Sequence, residues 1–558
     1  MSAPESQLGR WLKWTGAIAI VLVAVIAVYV ITRVADDEPV TYADIEDHFK
    51  YGSTGGERGW KLQFGFGVPY WIWVALPELF PQYLPDRKPG AGYSSLGLIY
   101  EDGKDPRFDL PIGMSMRRVQ GIDRVYFTCS VCHAGSVREA QGAPRQIVLG
   151  MPANILDFGG LALFLGRSAG DWRFRSSRLM PVIDAMAELR EKREPPDHAA
   201  YQPEEIGFLD RQLFEYIVVS MMRDQLLALM GQLAHVDFAG WGPGRVDTFN
   251  PPKALLGFRM DRAPDRELVG TADFPSVWSQ KARKGMWLHW DGNNCSVDER
   301  NLSAAFGTGA TPPTLDRHKV LRIADWLWET ATPPAVPEAH IDATLAARGE
   351  PIYREHCRGC HGDRERPFRR PGDDTLVGRV TPIAAIGTDR ARLDSYTPEL
   401  AQSQNLLYAG YPQAGDEACR AYVEGVCDRD QHDAEYKAQR AACFPARFSH
   451  FRKTYGYANQ PLDGLWLRAP YLHNGSVPSL QALFEPAASR PRVFYTGYDV
   501  YDFEAAGFVT SGPDAEKSGW RFDTSRPGNG NQGHDGAAYG TLLPAAQKRA
   551  LIEYLKTF

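Results

Sequence analysis

The chain has 558 residues, too many for one hydrophobic core of ordinary size, and should divide into two or three domains. A formal charge of −6, with no Lys/Arg-rich stretch, argues against a nucleic-acid partner. Gly (53) and Pro (40) are both over-used, which predicts long loops between modest helices.

From the N-terminus, Thr15 to Thr32 is an unbroken run of apolar or small residues, about long enough to cross a bilayer. Arg10 and Lys13 precede it, and Asp36, Asp37 and Glu38 follow. The positive-inside bias predicts residues 1–36 as a cytoplasmic stub and transmembrane anchor, with everything after Val34 outside. A cleaved signal peptide competes with this reading, but a cut after Ala35 would put Arg33 three residues before it, where a small residue belongs.

Two pentapeptides then stand out, Cys129-Ser130-Val131-Cys132-His133 and Cys357-Arg358-Gly359-Cys360-His361. Cys-x-x-Cys-His is the attachment signature of a c-type haem. The spacing lets one turn present both sulfurs to the porphyrin edge and the imidazole to its face, where it ligates iron. A zinc site or redox dithiol is the alternative, and two such coincidences in a chain with 8 Cys and 13 His are improbable. The expectation is two covalent haems, attached through Cys129, Cys132, Cys357 and Cys360, with His133 and His361 as proximal ligands. Haem of this type is attached on the outer side of the bacterial inner membrane, so the bulk of the chain belongs in the periplasm.

Between the motifs, Phe214 to Gln232 reads as a helix whose Met221, Met222 and Met230 are core filler. Val320, Ile323, Ala324 and Leu327 form a helical stripe that closes the first unit. The linker 332–337, Thr-Pro-Pro-Ala-Val-Pro, follows. Ile341 to His356 reads as an amphipathic helix leading straight into the second motif, and Pro544 to Phe558 as the helix closing that unit. An insertion from about Gly362 to His450 opens with a charged, solvated loop, GDRERPFRRPGDD. The predicted fold class is mainly α: two cytochrome c-like haem domains, 37–331 and 338–558, with long loop-rich insertions and few strands, behind an N-terminal transmembrane helix.

Cys295, Cys419, Cys427 and Cys443 remain for disulfides, with three possible connectivities and a bridge expected among the last three. No methionine follows Met286, so a thioether ligand to the second haem would have to reach across from the other domain. Downstream of His361, His534 in the flexible loop PGNGNQGHDG is the first candidate for the distal ligand and His473 the second. For the first haem, Met151, His235 and His289 are candidates without a compelling context, and that iron is expected to be open or loosely closed.

The stretch LHWDGNNCSVDERN, Leu288 to Asn301, resembles the W-D-G-R…S-L-x-x-Q block of the bacterial di-haem cytochrome c peroxidase and MauG superfamily. RAPYLHNGSVPSL, Arg468 to Leu480, resembles its A-P-Y-x-H-D-G-S block. With HFKYGS, GVPYWIW, FYTGYDVYD and PGNGNQGH, the resemblance is greatest to the rubber-oxygenase branch. It implies that the His133 haem is reactive and the haem of His361 and His534 a low-spin relay. It also implies that Trp290 conducts electrons between them and that Arg300, at the place of a distal glutamine, faces the open side of the first iron. Members often carry a calcium ion between the domains. The peroxidases place a catalytic glutamate where this chain has Ala310; Asp298 or Glu299 are conceivable substitutes. That absence fits the rubber oxygenases, whose distal pocket is apolar and holds dioxygen. The implied function is a redox enzyme activating O2 or H2O2, exchanging electrons with a small cytochrome c or the quinol pool. A non-enzymatic electron carrier is the alternative.

Overall fold

The computed structural model describes residues 7–38, 40–58, 67–193, 202–364, 374–407, 434 and 447–558. The expected bridge among Cys419, Cys427 and Cys443 and most of the charged loop lie outside the described residues, while Cys295 is a free thiol.

The apolar run forms one helix, Gln7–Ala35, long and apolar enough over Trp14–Arg33 to be a membrane span or a signal sequence. Its two threonines turn their hydroxyls back onto the helix, Thr15 to the Trp11 carbonyl and Thr32 to those of Val28 and Tyr29, which satisfies both. At its end Arg33 reaches the folded part, donating to the Gly121 carbonyl and pairing with Asp210.

The second motif is delivered by a helix. Asp342 caps Ala343–His356 by accepting from the Thr344 and Leu345 amides at 2.9 Å, and the helix runs into the turn Arg358–His361. It crosses the closing helix Ala545–Leu555 so tightly that a Cβ at Gly349 would lie 2.0 Å from the Ala550 carbonyl oxygen. Tyr353 seals the crossing, packing on Tyr554 and Phe558 and donating to the Gly362 carbonyl at 2.6 Å.

The first motif is delivered by strands, contrary to the expectation of few. Met114–Val119 and Ile122–Phe127 form a six-residue hairpin around Gln120 and Gly121, both at positive φ as a type I′ turn requires. With Val68–Pro69 and Asp37–Glu38 they make a four-stranded sheet, and Cys129 follows directly. A second ladder, Ala134–Val137 with Gln146–Leu149, begins just after His133. Its counterpart of the opening helix is Ile45–Tyr51, which packs on the closing helix Arg317–Glu329 through Phe49 and Trp326, ring centres 5.0 Å apart. Helix and motif are thus split by the stretch that holds the hairpin. The described residues are 45% helical with considerable strand content, so helices alone do not describe them.

The helix expected from Phe214 begins earlier, as Phe208–Leu213, a π-helical turn Phe214–Val218, and Val219–Gln232. Met222 is buried in a core with Trp71, Phe164 and Ile183. A further core draws on both sides of the 332–337 linker: Phe49, Trp278 and Leu327 pack with Tyr353, Trp466 and Leu551, and Val336 of the linker is buried among them. Trp466 donates to the Pro334 carbonyl at 2.9 Å.

The two family-like blocks adopt one and the same turn. Leu288 bridges Asn294 and Tyr471 bridges Val477, with positive φ at His289 and Leu472 and a left-handed glycine three residues later, Gly292 and Gly475. In this superposition Trp290 and His473 occupy matching positions.

Candidate functional site

Each motif histidine is held by a backbone carbonyl two residues beyond a short strand. Thr271–Asp273 ends ahead of Pro275, whose carbonyl meets His133 Nδ1 at 2.9 Å. Gly456–Ala458 ends ahead of Gln460, whose carbonyl meets His361 Nδ1 at 2.8 Å. With Nδ1 so occupied, Nε2 of each ring is left to face a metal. Burial drives His133 down to about 3, helped by the Arg300 charge, and His361 also below its ordinary value, so both rings are neutral and able to ligate. Burial also pushes the Cys129 thiol up to about 11 and those of Cys132 and Cys357 up to about 12. A redox dithiol depends on a depressed thiol, which none of these three shows.

Across from His361 stands His534, ring centres 6.4 Å apart. Two imidazoles bound to one ion by bonds of about 2 Å place their centres roughly 6 Å apart, so this gap fits an iron between them. His534 lies at positive φ beside Gly533, its amide on the Ile386 carbonyl at 3.0 Å. Arg490, itself buried, fixes the loop by donating to the carbonyls of Asn531, Gly533 and His534 at 2.6, 2.8 and 3.0 Å. Burial, with His361 and Arg490 adding to it, lowers His534 to about 3. His473 is engaged elsewhere: its Nε2 lies 3.0 Å from the Tyr457 hydroxyl and its ring stacks on Tyr457 at 4.1 Å.

A cavity partly open to solvent lies between the two carbonyl clamps and is lined by Pro275, His289, Trp290, Arg300, Gln460 and Arg468 among others. Arg300 is 9% exposed, and its guanidinium has no partner among the described residues. Burial lowers it to about 10, with the Arg283 charge assisting, so it stays cationic and calls for an anionic or polarised oxygen in the cavity. The carboxylate side chains of a haem would supply that chemistry. His289 is bonded through Nδ1 to Asn293, and its Nε2 has no partner among the described residues. His235 is exposed and Met151 is buried in the shared core, so neither belongs to the cavity. Asp298 is exposed, and Glu299 is occupied with Ser449 and His450, accepting from their amides at 2.7 and 3.0 Å. Ala310 is buried in an apolar cluster with Leu302, Ala305 and Phe448.

Trp290 donates its indole N–H to the Asp273 carbonyl at 2.7 Å, and the Asp273 amide donates to the His473 carbonyl at 2.9 Å. One residue, Asp273, therefore links the two equivalent turns through its amide and its carbonyl. Asp463 ties Arg283 and Arg468 together at 2.6 and 2.9 Å on the cavity wall. Sequence reasoning missed Pro275, Gln460, Arg490 and Asp463. The carbonyl clamps carry no side-chain signature, although each sits in a short Pro-containing stretch (FPS and NQP) just after a strand. Among the described residues no group of three or more His, Cys, Asp or Glu is placed to hold a metal ion, so the expected calcium has no ligand set there.

The chain is 28% identical over 491 residues to the uncharacterized protein y4iJ of Sinorhizobium fredii (strain NBRC 101917 / NGR234), covering 78% of this chain and 76% of that one. To the uncharacterized protein y4iM of the same organism it is 30% identical over 312 residues, 51% of this chain and 64% of that one. Residues 456–495 match the family described as RoxA-like, cytochrome c-like. The matched segment is the one that supplies Gln460 to His361 and carries His473.

Proposed function

We propose that this is a membrane-anchored, periplasmic di-haem c-type cytochrome of the rubber-oxygenase-like kind, in which the His133 centre activates O2 or H2O2. The His361 centre, closed by His534, is its electron relay. The observation that carries this reading is the asymmetry across the two histidines. An imidazole stands 6.4 Å from the His361 ring, whereas a buried Arg300, without a side-chain partner among the described residues, faces the His133 side. The haems supply the redox chemistry when bound; axial ligation, access and charge are this chain's part. Pro275 and Gln460 orient the two proximal rings. Arg300 binds and orients an anionic or polarised oxygen ligand. Trp290, anchored to Asp273 on the cavity wall, is the bridge for electrons arriving from the His361 side. Glu299 is committed to the 449–450 segment and Ala310 is apolar, which leaves the cavity without a carboxylate for peroxide heterolysis from either and favours dioxygen over peroxide. A small cytochrome c or a quinol is the proposed electron partner.

A second reading, a carrier without catalysis, is favoured by the free Nε2 of His289 in the same cavity. Low-temperature EPR of the oxidised protein, repeated after adding one electron per molecule, separates them. A high-spin ferric signal beside a low-spin bis-histidine signal supports the enzyme. Two low-spin signals in both states mean that His289 closes the first iron and the protein carries electrons only.

A further inference from the structure

We propose that the turn of helix around Phe208 and Ile217, with Trp172 beside it, is a second membrane contact that seats the folded part of the chain on the bilayer surface. This rests on the reading of Gln7–Ala35 as an anchor. Monomeric proteins expose large apolar side chains singly; here Phe208, Leu209, Tyr216 and Ile217 are 77, 55, 71 and 53% exposed on one short helical stretch. The stretch adjoins the point where the chain leaves the apolar helix, because Arg33 pairs with Asp210, the residue after Leu209. Trp172, 60% exposed, is joined to the same face through the Ser176 hydroxyl, which donates to the Glu215 carbonyl next to Tyr216.

The charges suit a phospholipid surface. Arg175 and Arg178 stack over the Trp172 ring at 4.9 and 5.6 Å and meet no carboxylate among the described residues. Three of the nearby acids are already paired, Asp184 and Glu215 with Arg211 at 2.8 and 3.3 Å and Asp210 with Arg33, while Glu205 and Asp224 stay exposed at the two ends of the stretch. Aromatic and aliphatic tips flanked by unpaired arginines are what a headgroup layer with anionic lipid accommodates. A second copy of the chain would have no use for two unpaired cations at the rim without a matching acidic face.

The test uses the full-length protein in vesicles of three parts phosphatidylcholine to one of phosphatidylglycerol. A benzophenone amino acid is placed in separate preparations at Ile217, at Val23 in the N-terminal helix, and at the exposed Lys517. Mass spectrometry after irradiation should find lipid adducts at 23 and 217 and none at 517. Adducts at 23 without any at 217 overturn the second contact and leave the anchor standing; none at 23 overturns the anchor itself. Protein–protein cross-links from 217 in place of lipid adducts assign the face to a second copy and overturn the proposal. In vesicles of phosphatidylcholine alone the yield at 217 should fall while that at 23 holds. A yield at 217 indifferent to headgroup charge overturns the role given to Arg175 and Arg178.

Discussion

His133 and His361 are presented by the same pentapeptide and clamped by carbonyls at 2.9 and 2.8 Å, yet the spaces facing the two rings hold different chemistry. Beyond His361 lies His534, fixed by Arg490; beside His133 lie Arg300 and His289 in an open cavity. The route into each turn differs as well, a capped helix in one and a β-hairpin in the other. What is alike is set by the motif and by one backbone carbonyl. What differs comes from residues far away in sequence, and the division of labour proposed for the two halves rests on them.

The bluntest way to break the comparison is to remove one side. Replacing Cys357 and Cys360 by serine should halve the covalent haem per chain, read from the intact mass and the haemochrome spectrum, while the His133 side keeps its own. Next, His534→Met should keep the second iron six-coordinate but raise its potential by on the order of 0.1 V or more, followed by redox titration. His289→Gly should leave every low-spin signal unchanged; loss of one would mean that both faces are closed. Arg490→Met should loosen the His534 loop and convert part of the low-spin signal to high-spin, with covalent haem content intact. On the other side, Arg300→Gln should weaken azide binding to the ferric protein by about tenfold or more, since a buried charge-assisted contact is lost.

The smallest effect concerns the wall between them. Burial alone would raise the Asp463 carboxyl, but Arg283 and Arg468 outweigh it and hold the group below the ordinary carboxylate range. Its folded pKa being depressed, the stability it adds is present above the unfolded value of about 4 and lost as the pH falls through the folded value. Asp463→Asn should cost about 1–3 kcal/mol at neutral pH and flatten that part of the acid limb in denaturant titrations.

The pentapeptides stand out because their pattern is local, and the helices bracketing the second one lie within about three residues of where periodicity puts them. The hairpin before the first was not. Met114–Val119 is buried throughout, so it shows no alternation, and Arg117 and Arg118 look like surface until their partners Asp37, Asp316 and Asp123 are seen. The opening helix Ile45–Tyr51 was hidden by its separation from the motif it serves. His473 and His534 could only be ranked by loop flexibility. The structure separates them by contact, since His473 sits in the turn that matches Trp290 and spends its ring on Tyr457. Arg490 and the two carbonyls act through backbone atoms of distant loops, and nothing in their own sequence marks them.

The core that packs Phe49 and Leu327 against Tyr353 and Leu551 across the buried linker has a kinetic meaning. Two cytochromes that meet in solution exchange electrons only as often as they collide and rotate into place. Here the two pentapeptides are embedded in one solid, and the separation of the centres proposed for them is fixed when the chain folds. Thickening the solvent with sucrose should therefore leave electron exchange between the halves untouched while it slows delivery from any outside donor.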